Sequence, residues 1–340
     1  MRQRASKQII NQTRYGCRRC MFERGHMTTR RNEYDVTNQV NTTDPAAVNS
    51  EVNRLFLELY PKATTHVLNR CFRDLTRLQM GEYPGYHGCE TDYHNLQHSL
   101  DVTLAMARLM DGYERTRHRG AELGARLFRF GVVTALFHDI GYLRKINDTR
   151  HKNGAEYTRK HVSRGAKFLE DYMNRIGMAE LAPIASRIVH FTGYEIPVSR
   201  IDVPNLTFRL IGNMLGTADI MAQMADRCYL EKCRDRLYPE FVEGGLAARH
   251  LSDERDGVLF SSVEDMMQKT PNFYKTASVR LNEQLGSAHD YAGKHFGGQN
   301  LYFDEIDKNM QYASAVAERH DLSLLRRESP IFGREVLQVF

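Results

Sequence analysis

Residues 121–140 read AELGARLFRFGVVTALFHDI. Leu123, Leu127, Phe128, Phe130, Val132, Val133, Leu136 and Phe137 fall on nearly every side of a helical cylinder rather than along one stripe. A helix that is apolar all round belongs in the interior. The run ends in the adjacent pair His138-Asp139, with Gly141 placed as a C-terminal cap. A carboxylate buried at the end of such a helix needs a cation or several hydrogen-bond donors. One stretch therefore predicts both a helical core and a charged site inside it.

The pattern on either side is also helical. Asp44-Pro45 opens a first helix that ends before Pro61. Val67, Leu68, Cys71, Phe72, Leu75 and Leu78 mark a second over 63–79, and turn residues fill 81–88. Leu96, Leu100, Leu104, Ala107 and Met110 mark a third, running to about residue 115. A charged loop carrying Arg144, Lys145, Arg150, His151 and Lys152 follows the central helix. Helices are expected again over 155–176, 180–191 and 206–236, then a long helical stretch with polar turns over 262–325. Alternating apolar runs bounded by turns are nearly absent. The expectation is an all-α chain: a basic tail and linker over 1–46, one multi-helix domain over 47–325, and a C-terminal extension over 326–340.

At 340 residues, 41% hydrophobic and 26% charged, the chain can bury a large core and reads as an ordinary soluble protein. It has neither the roughly 20 consecutive apolar residues of a membrane span nor an apolar signal-peptide core. A cytoplasmic protein without a membrane partner is expected. The net charge of +5 is concentrated at one end. Residues 1–31 hold nine Arg and Lys side chains against Glu23, so the remainder carries −3. The basic arm lacks aromatic interleaving and apolar periodicity, so it is expected to be a disordered extension rather than a nucleic-acid grip, with Met27 an alternative start. Cys17-Arg-Arg-Cys20 has the spacing of half a zinc site, but no second such pair exists, and the six cysteines read as cytoplasmic thiols.

Five further side chains extend the charged site. In Tyr93-His94-Asn95-Leu96-Gln97-His98 the two histidines are four apart at a predicted helix start, so they share one face. Alone they are equally readable as surface or capping histidines. Asp219 lies within the apolar helix of Leu210, Ile211, Met214, Leu215, Ala218, Ile220 and Met221, where an unpaired carboxylate costs several kcal/mol. A salt bridge, for example to Arg227, would serve it as well as a metal. His161 and His190 follow the His-Asp pair and are readable either as satisfied core histidines or as further ligands.

His98, His138-Asp139 and Asp219, in this order, resemble the signature of the HD-domain metal-dependent phosphohydrolases. Tyr93-His94-Asn95-x-x-His98 and Gly216-Thr217-Ala218-Asp219 are more specifically similar to the cyclic-nucleotide phosphodiesterase branch. The resemblance covers about residues 65–320. It implies an all-helical bundle around two divalent ions (Zn, Mn, Mg or Fe), with His98, His138, Asp139 and Asp219 on the first and Asp139 bridging to the second. It implies a metal-activated hydroxide attacking phosphorus and His94 as the general acid. The substrate class is then a small phosphodiester or phosphomonoester, a nucleotide above all. Zn, Mn, Fe and mixed Mg-containing pairs all suit imidazole and carboxylate ligands.

The branch's purine-reading glutamine is not reproduced in register: Thr270 stands where it is expected, and Gln268 lies two residues earlier. Phe273 is the candidate aromatic clamp. Gln223, four residues after Asp219, is a candidate base reader, and Lys145 in the basic loop a candidate phosphate contact. Two other readings share these residues. With His161 and His190 as ligands the set resembles the di-iron oxygenases built on the same fold. The chain could also be a nucleotide-binding module without catalysis. A homo-oligomer is compatible with any of these.

Overall fold

The computed structural model describes residues 29–249 and 257–330. Cys17, Cys20 and most of the basic arm lie outside the described residues. Twelve α-helices follow in order: α1 (Pro45–Leu59), α2 (His66–Met80), α3 (Leu96–Thr116), α4 (Gly124–Leu136), α5 (His161–Arg175), α6 (Ala182–Ile188), α7 (Leu206–Ala225), α8 (Tyr229–Lys232), α9 (Tyr238–Glu243), α10 (Val263–Val279), α11 (Asp290–His295) and α12 (Leu301–Arg319). Short 3-10 turns and two π-turns link them. Among the described residues there is no strand, only isolated bridges such as Tyr86 to Lys145. The chain is all-helical, and no described helix is long and apolar enough to cross a membrane.

Helix α3 is the axis of the structure. It packs against α1, α4, α7 and α11, and its side chains from Leu96 to Met110 are buried on almost every side. The mostly apolar α4 lies beside it, with Phe128 and the residues from Phe130 to Leu136 buried. Gly112 lets α11 approach α3, because a Cβ at this position would overlap the Tyr291 carbonyl oxygen. Asn95 starts α3: its side chain accepts the His98 backbone N–H at 3.3 Å and donates to the Asp92 carbonyl at 2.7 Å. This is the side-chain cap that asparagine supplies best, and it sets His98 in the first turn.

Three boundaries differ from expectation. Helix α4 ends at Leu136, ahead of His138, and Gly141 is not its cap: it sits in the 3-10 turn Ile140–Tyr142. Glycine is needed there because a Cβ would overlap the His161 carbonyl oxygen at the start of α5. The helix expected over 206–236 breaks at Asp226, whose backbone turns extended and whose carboxylate accepts from Cys228 N at 2.6 Å and Lys232 Nζ at 2.5 Å. An aspartate that captures nearby donors competes with the helix.

The third difference is at the N-terminal side. Residues 29–44, expected as linker, pack onto the body. Arg30 donates to the Ala225 carbonyl at 2.8 Å and pairs with Glu305 at 3.1 Å. Asp35 is buried and ion-paired with Arg108 of α3, which also donates to the Tyr302 hydroxyl at 3.1 Å. Residues 326–330 also lie on the body, with the Arg327 side chain donating to Asn309 Oδ1 at 3.0 Å.

Removing one partner of a buried ion pair strands the other charge, which costs about 3–5 kcal/mol. Asp35→Ala is therefore expected to lower the urea midpoint strongly, and Asp35→Ala combined with Arg108→Met to recover much of the loss. An unchanged midpoint for Asp35→Ala would mean that the 29–44 segment does not hold to α3.

Candidate metal centre

The chain supplies the centre from four elements. His98 comes from the first turn of α3, and His138 and Asp139 from the turn after α4. Asp219 comes from α7, and His161 opens α5. Adjacent residues on a regular helix point about 100° apart, so His138 and Asp139 meet only because the helix has already ended. Phe137 is at φ −111, ψ 16 and Asp139 at φ −99, ψ 9. His138 Nε2 then lies 3.1 Å from Asp139 Oδ2.

The ligand atoms of His98, His138 and Asp139 all lie within 4.8 Å of one another. His98 Nε2 is 3.3 Å from both Asp139 Oδ2 and Asp219 Oδ1, and Asp219 Oδ1 is 3.7 Å from His138 Nε2. The other Asp139 oxygen, Oδ1, faces His161 Nε2 at 3.5 Å. The two oxygens of one carboxylate thus address different imidazoles.

These residues fit a divalent cation on the evidence of their hydrogen bonds. His138 Nε2 and Asp139 Oδ2 are buried and have no hydrogen-bond partner, although they face each other. A carboxylate lone pair set against an imidazole lone pair is repulsive unless a cation or a proton lies between them. The His138 Nδ1–H donates to the Ala135 carbonyl at 2.8 Å, and the His161 Nδ1–H donates to the Thr158 carbonyl at 2.7 Å. These bonds assign the tautomers that turn both Nε2 lone pairs inward, as metal-bound histidines are held. His98, His138 and Asp139 together could hold a metal ion.

Charge in the metal-free centre follows from the same contacts. Burial would lower the His98 pKa, but the Asp139 and Asp219 carboxylates, each 3.3 Å from Nε2, outweigh it and push the imidazole up to about 10. Burial opposes charge on His138 too, and Asp139 overrides it to raise the pKa. The Asp139 carboxyl is held well below its usual range: burial would raise it, yet the facing His138 and His98 imidazoles prevail. Burial lowers His161, which Asp139 only partly offsets.

His94 stands at the edge of this group. Its ring centroid is 5.7 Å from that of His98. Its Nδ1 is hydrogen-bonded to buried Glu240 of α9, whose other oxygen accepts Tyr93 N at 3.0 Å and His94 N at 3.3 Å. Tyr142, buried in the turn after His138-Asp139, stacks between two histidines. Its ring is 4.4 Å and 14° from His94 on one side, and 4.4 Å and 19° from His161 on the other. Neither Glu240 nor Tyr142 was foreseen. Glu240 lies 146 residues from His94, with no local pattern to join them, and Tyr142 reads in the sequence as an ordinary core aromatic.

The remaining expected site residues divide. Gln223, one turn beyond Asp219, lines a small cavity with His98, Tyr93 and Tyr229 beside the centre. His190 has, like His138, a buried ring nitrogen without a hydrogen-bond partner, and it lies within electrostatic reach of Glu195 and His161. Phe273 packs half-buried against the core from α10. Gln268 bonds to His320 Nδ1 at 2.8 Å on the surface. Lys145 is exposed on its loop, where neighbouring Arg144 is committed to Glu90 at 2.6 Å. The chain matches no family model, no curated protein and no solved structure.

Metal uptake should be linked to protons. The His98 imidazole keeps its proton up to about pH 10 without metal, so an entering cation must displace it. Titrations with Zn²⁺ in buffers of different ionisation heat are expected to report proton release at pH 7.5, with affinity rising about tenfold per pH unit for each proton displaced. The group's ordinary pKa is 6.5. Its stabilising effect on the metal-free fold is therefore complete below about pH 6.5 and lost as pH rises through 10. A pH-independent affinity between pH 7 and 9 would contradict this charge state.

Proposed function

We propose that this chain is a metal-dependent phosphohydrolase of the HD type, cleaving a small phosphodiester or phosphomonoester. The observation that carries the reading is the pairing of a convergent His98, His138, Asp139 and Asp219 cluster with a second, separately held histidine, His94, on Glu240. The order of these residues along the chain adds the resemblance already described. Bound divalent ions would supply Lewis-acid polarisation of phosphoryl oxygens and activate water.

The chain's own residues account for the rest. His98, His138 and Asp219 share the Asp139 Oδ2 side of the centre, and His161 lies on the Oδ1 side. That split suits two ions bridged by one carboxylate. Asp219, with its side chain 18% exposed against 0% for His138, marks the open side where an ester would enter. Glu240 fixes the Nδ1 side of His94, which leaves Nε2 to donate a proton to the departing oxygen. Imidazole suits this role because it exchanges protons near neutral pH. The stack on Tyr142 keeps the ring plane in place while the proton moves.

The oxygenase alternative uses the same metal ligands but has no obvious use for a histidine held by a buried carboxylate.

Asp139→Ala and His138→Ala are expected to lose metal and turnover together. His94→Ala is expected to keep its metal while kcat falls by roughly 10²–10⁴. Glu240→Gln should likewise keep the metal, with a smaller fall in kcat. Metal analysis beside a phosphate-release screen that includes cyclic nucleotides checks all four variants. Turnover surviving in metal-depleted Asp139→Ala would refute the mechanism. Oxygen consumption by the iron-loaded protein, without phosphate release, would favour the oxygenase.

A further inference from the structure

Tyr194 is 67% exposed, yet its backbone is held at the rim of the centre. The segment before it is wedged between two site-bearing helices. The Phe191 carbonyl oxygen packs so closely on Gly216 of α7 that a Cβ there would overlap it, one turn ahead of Asp219. Gly193 packs on Val162 of α5 in the same way, next to His161. Tyr194 therefore emerges between Asp219 and His161. These are the most exposed members of the cluster, their side chains each 18% accessible.

One face of the Tyr194 ring is taken. The Arg280 guanidinium lies 4.2 Å from the ring centroid. Arg280 is buried and cannot swing away, because its Nη2 donates to the Phe191 carbonyl at 2.7 Å and the Gly193 carbonyl at 2.8 Å. The neighbouring carboxylate, Glu195, is committed to the first turn of α5, accepting Val162 N at 3.0 Å. The cation thus supports the same loop that presents the ring. The outer face is left to solvent, where an aromatic surface gains by meeting another flat apolar surface. A guanidinium behind the ring draws π density from it, which favours an electron-rich partner in front and adds positive potential for a phosphate.

We infer that Tyr194, backed by Arg280, is a stacking platform for a planar aromatic part of the ligand, a nucleobase, at the mouth of the metal centre. The inference rests on the proposed function only in taking that ligand to be a phosphate ester. It moves the aromatic contact from Phe273, which packs on the core, to a residue that no motif distinguished.

The chain contains no tryptophan, so Tyr194→Trp introduces a single fluorophore at the platform. The full-length, zinc-loaded protein would be titrated with 5′-AMP, ribose 5-phosphate and inorganic phosphate. Base stacking should make AMP bind about 5- to 150-fold more tightly than ribose 5-phosphate and should make AMP alone quench the tryptophan. By calorimetry, Tyr194→Ala should lose that advantage and keep its affinity for ribose 5-phosphate, whereas Tyr194→Phe should retain it. Equal affinity of the unsubstituted protein for AMP and ribose 5-phosphate, or no binding of AMP, would overturn the platform. So would a Tyr194→Ala variant weakened equally toward both, since that marks a structural role. Tyr194-dependent AMP binding with no hydrolysis of any ester would leave the platform standing and remove the phosphohydrolase assignment instead.

Discussion

Two carboxylates aimed at the same point inside a helical core are the constraint on which this structure depends. Asp139 and Asp219 come from chain segments 80 residues apart and meet around His98 and His138. With no positive charge between them, they would repel each other in a medium that screens poorly. The cluster answers either with protons on the imidazoles or with a metal cation. The outward hydrogen bonds of His138 and His161 to backbone carbonyls, which leave both Nε2 atoms facing inward, suit the metal.

Bringing these groups together places demands on the surrounding fold. Helix α4 has to stop before His138, so that neighbouring residues can face one way. Gly141 has to lack a side chain, so that the start of α5 can bring His161 close. Asn95 has to cap α3, so that His98 occupies the first turn. The Asp35–Arg108 pair ties the N-terminal segment to that same helix, at a distance from the chemistry. Each of these choices costs local helix propensity or leaves charge buried. The largely apolar packing among α3, α4 and α7 is what offsets it.

Around the cluster, the structure separates histidines that look equivalent in the chain. His94 and His98 are four residues apart, but one is bound to Glu240 and the other faces two aspartates. His161 faces Asp139 Oδ1, whereas His190 keeps a buried, unpartnered Nδ1, although both precede Asp219 at similar stages. Tyr142 joins His94 to His161 through two stacked contacts, so the proposed proton donor and the more open metal-side histidine share one rigid support.

What the amino-acid sequence determined by itself was the helical class, the approximate extents of α1 to α5, and the core of the His/Asp cluster. Apolar residues at helical spacing must bury a face, and an aspartate placed among them must find positive charge. Both conclusions follow from local chemistry. Tertiary structure alone decided which histidine meets which carboxylate, that Glu240 bonds to His94, that Tyr142 stacks between His94 and His161, and that residues 29–44 belong to the body. Those outcomes depend on contacts between segments up to 296 residues apart. Such a contact leaves no period or spacing in the chain, because its geometry exists only once α3, α5, α7 and α9 have packed together.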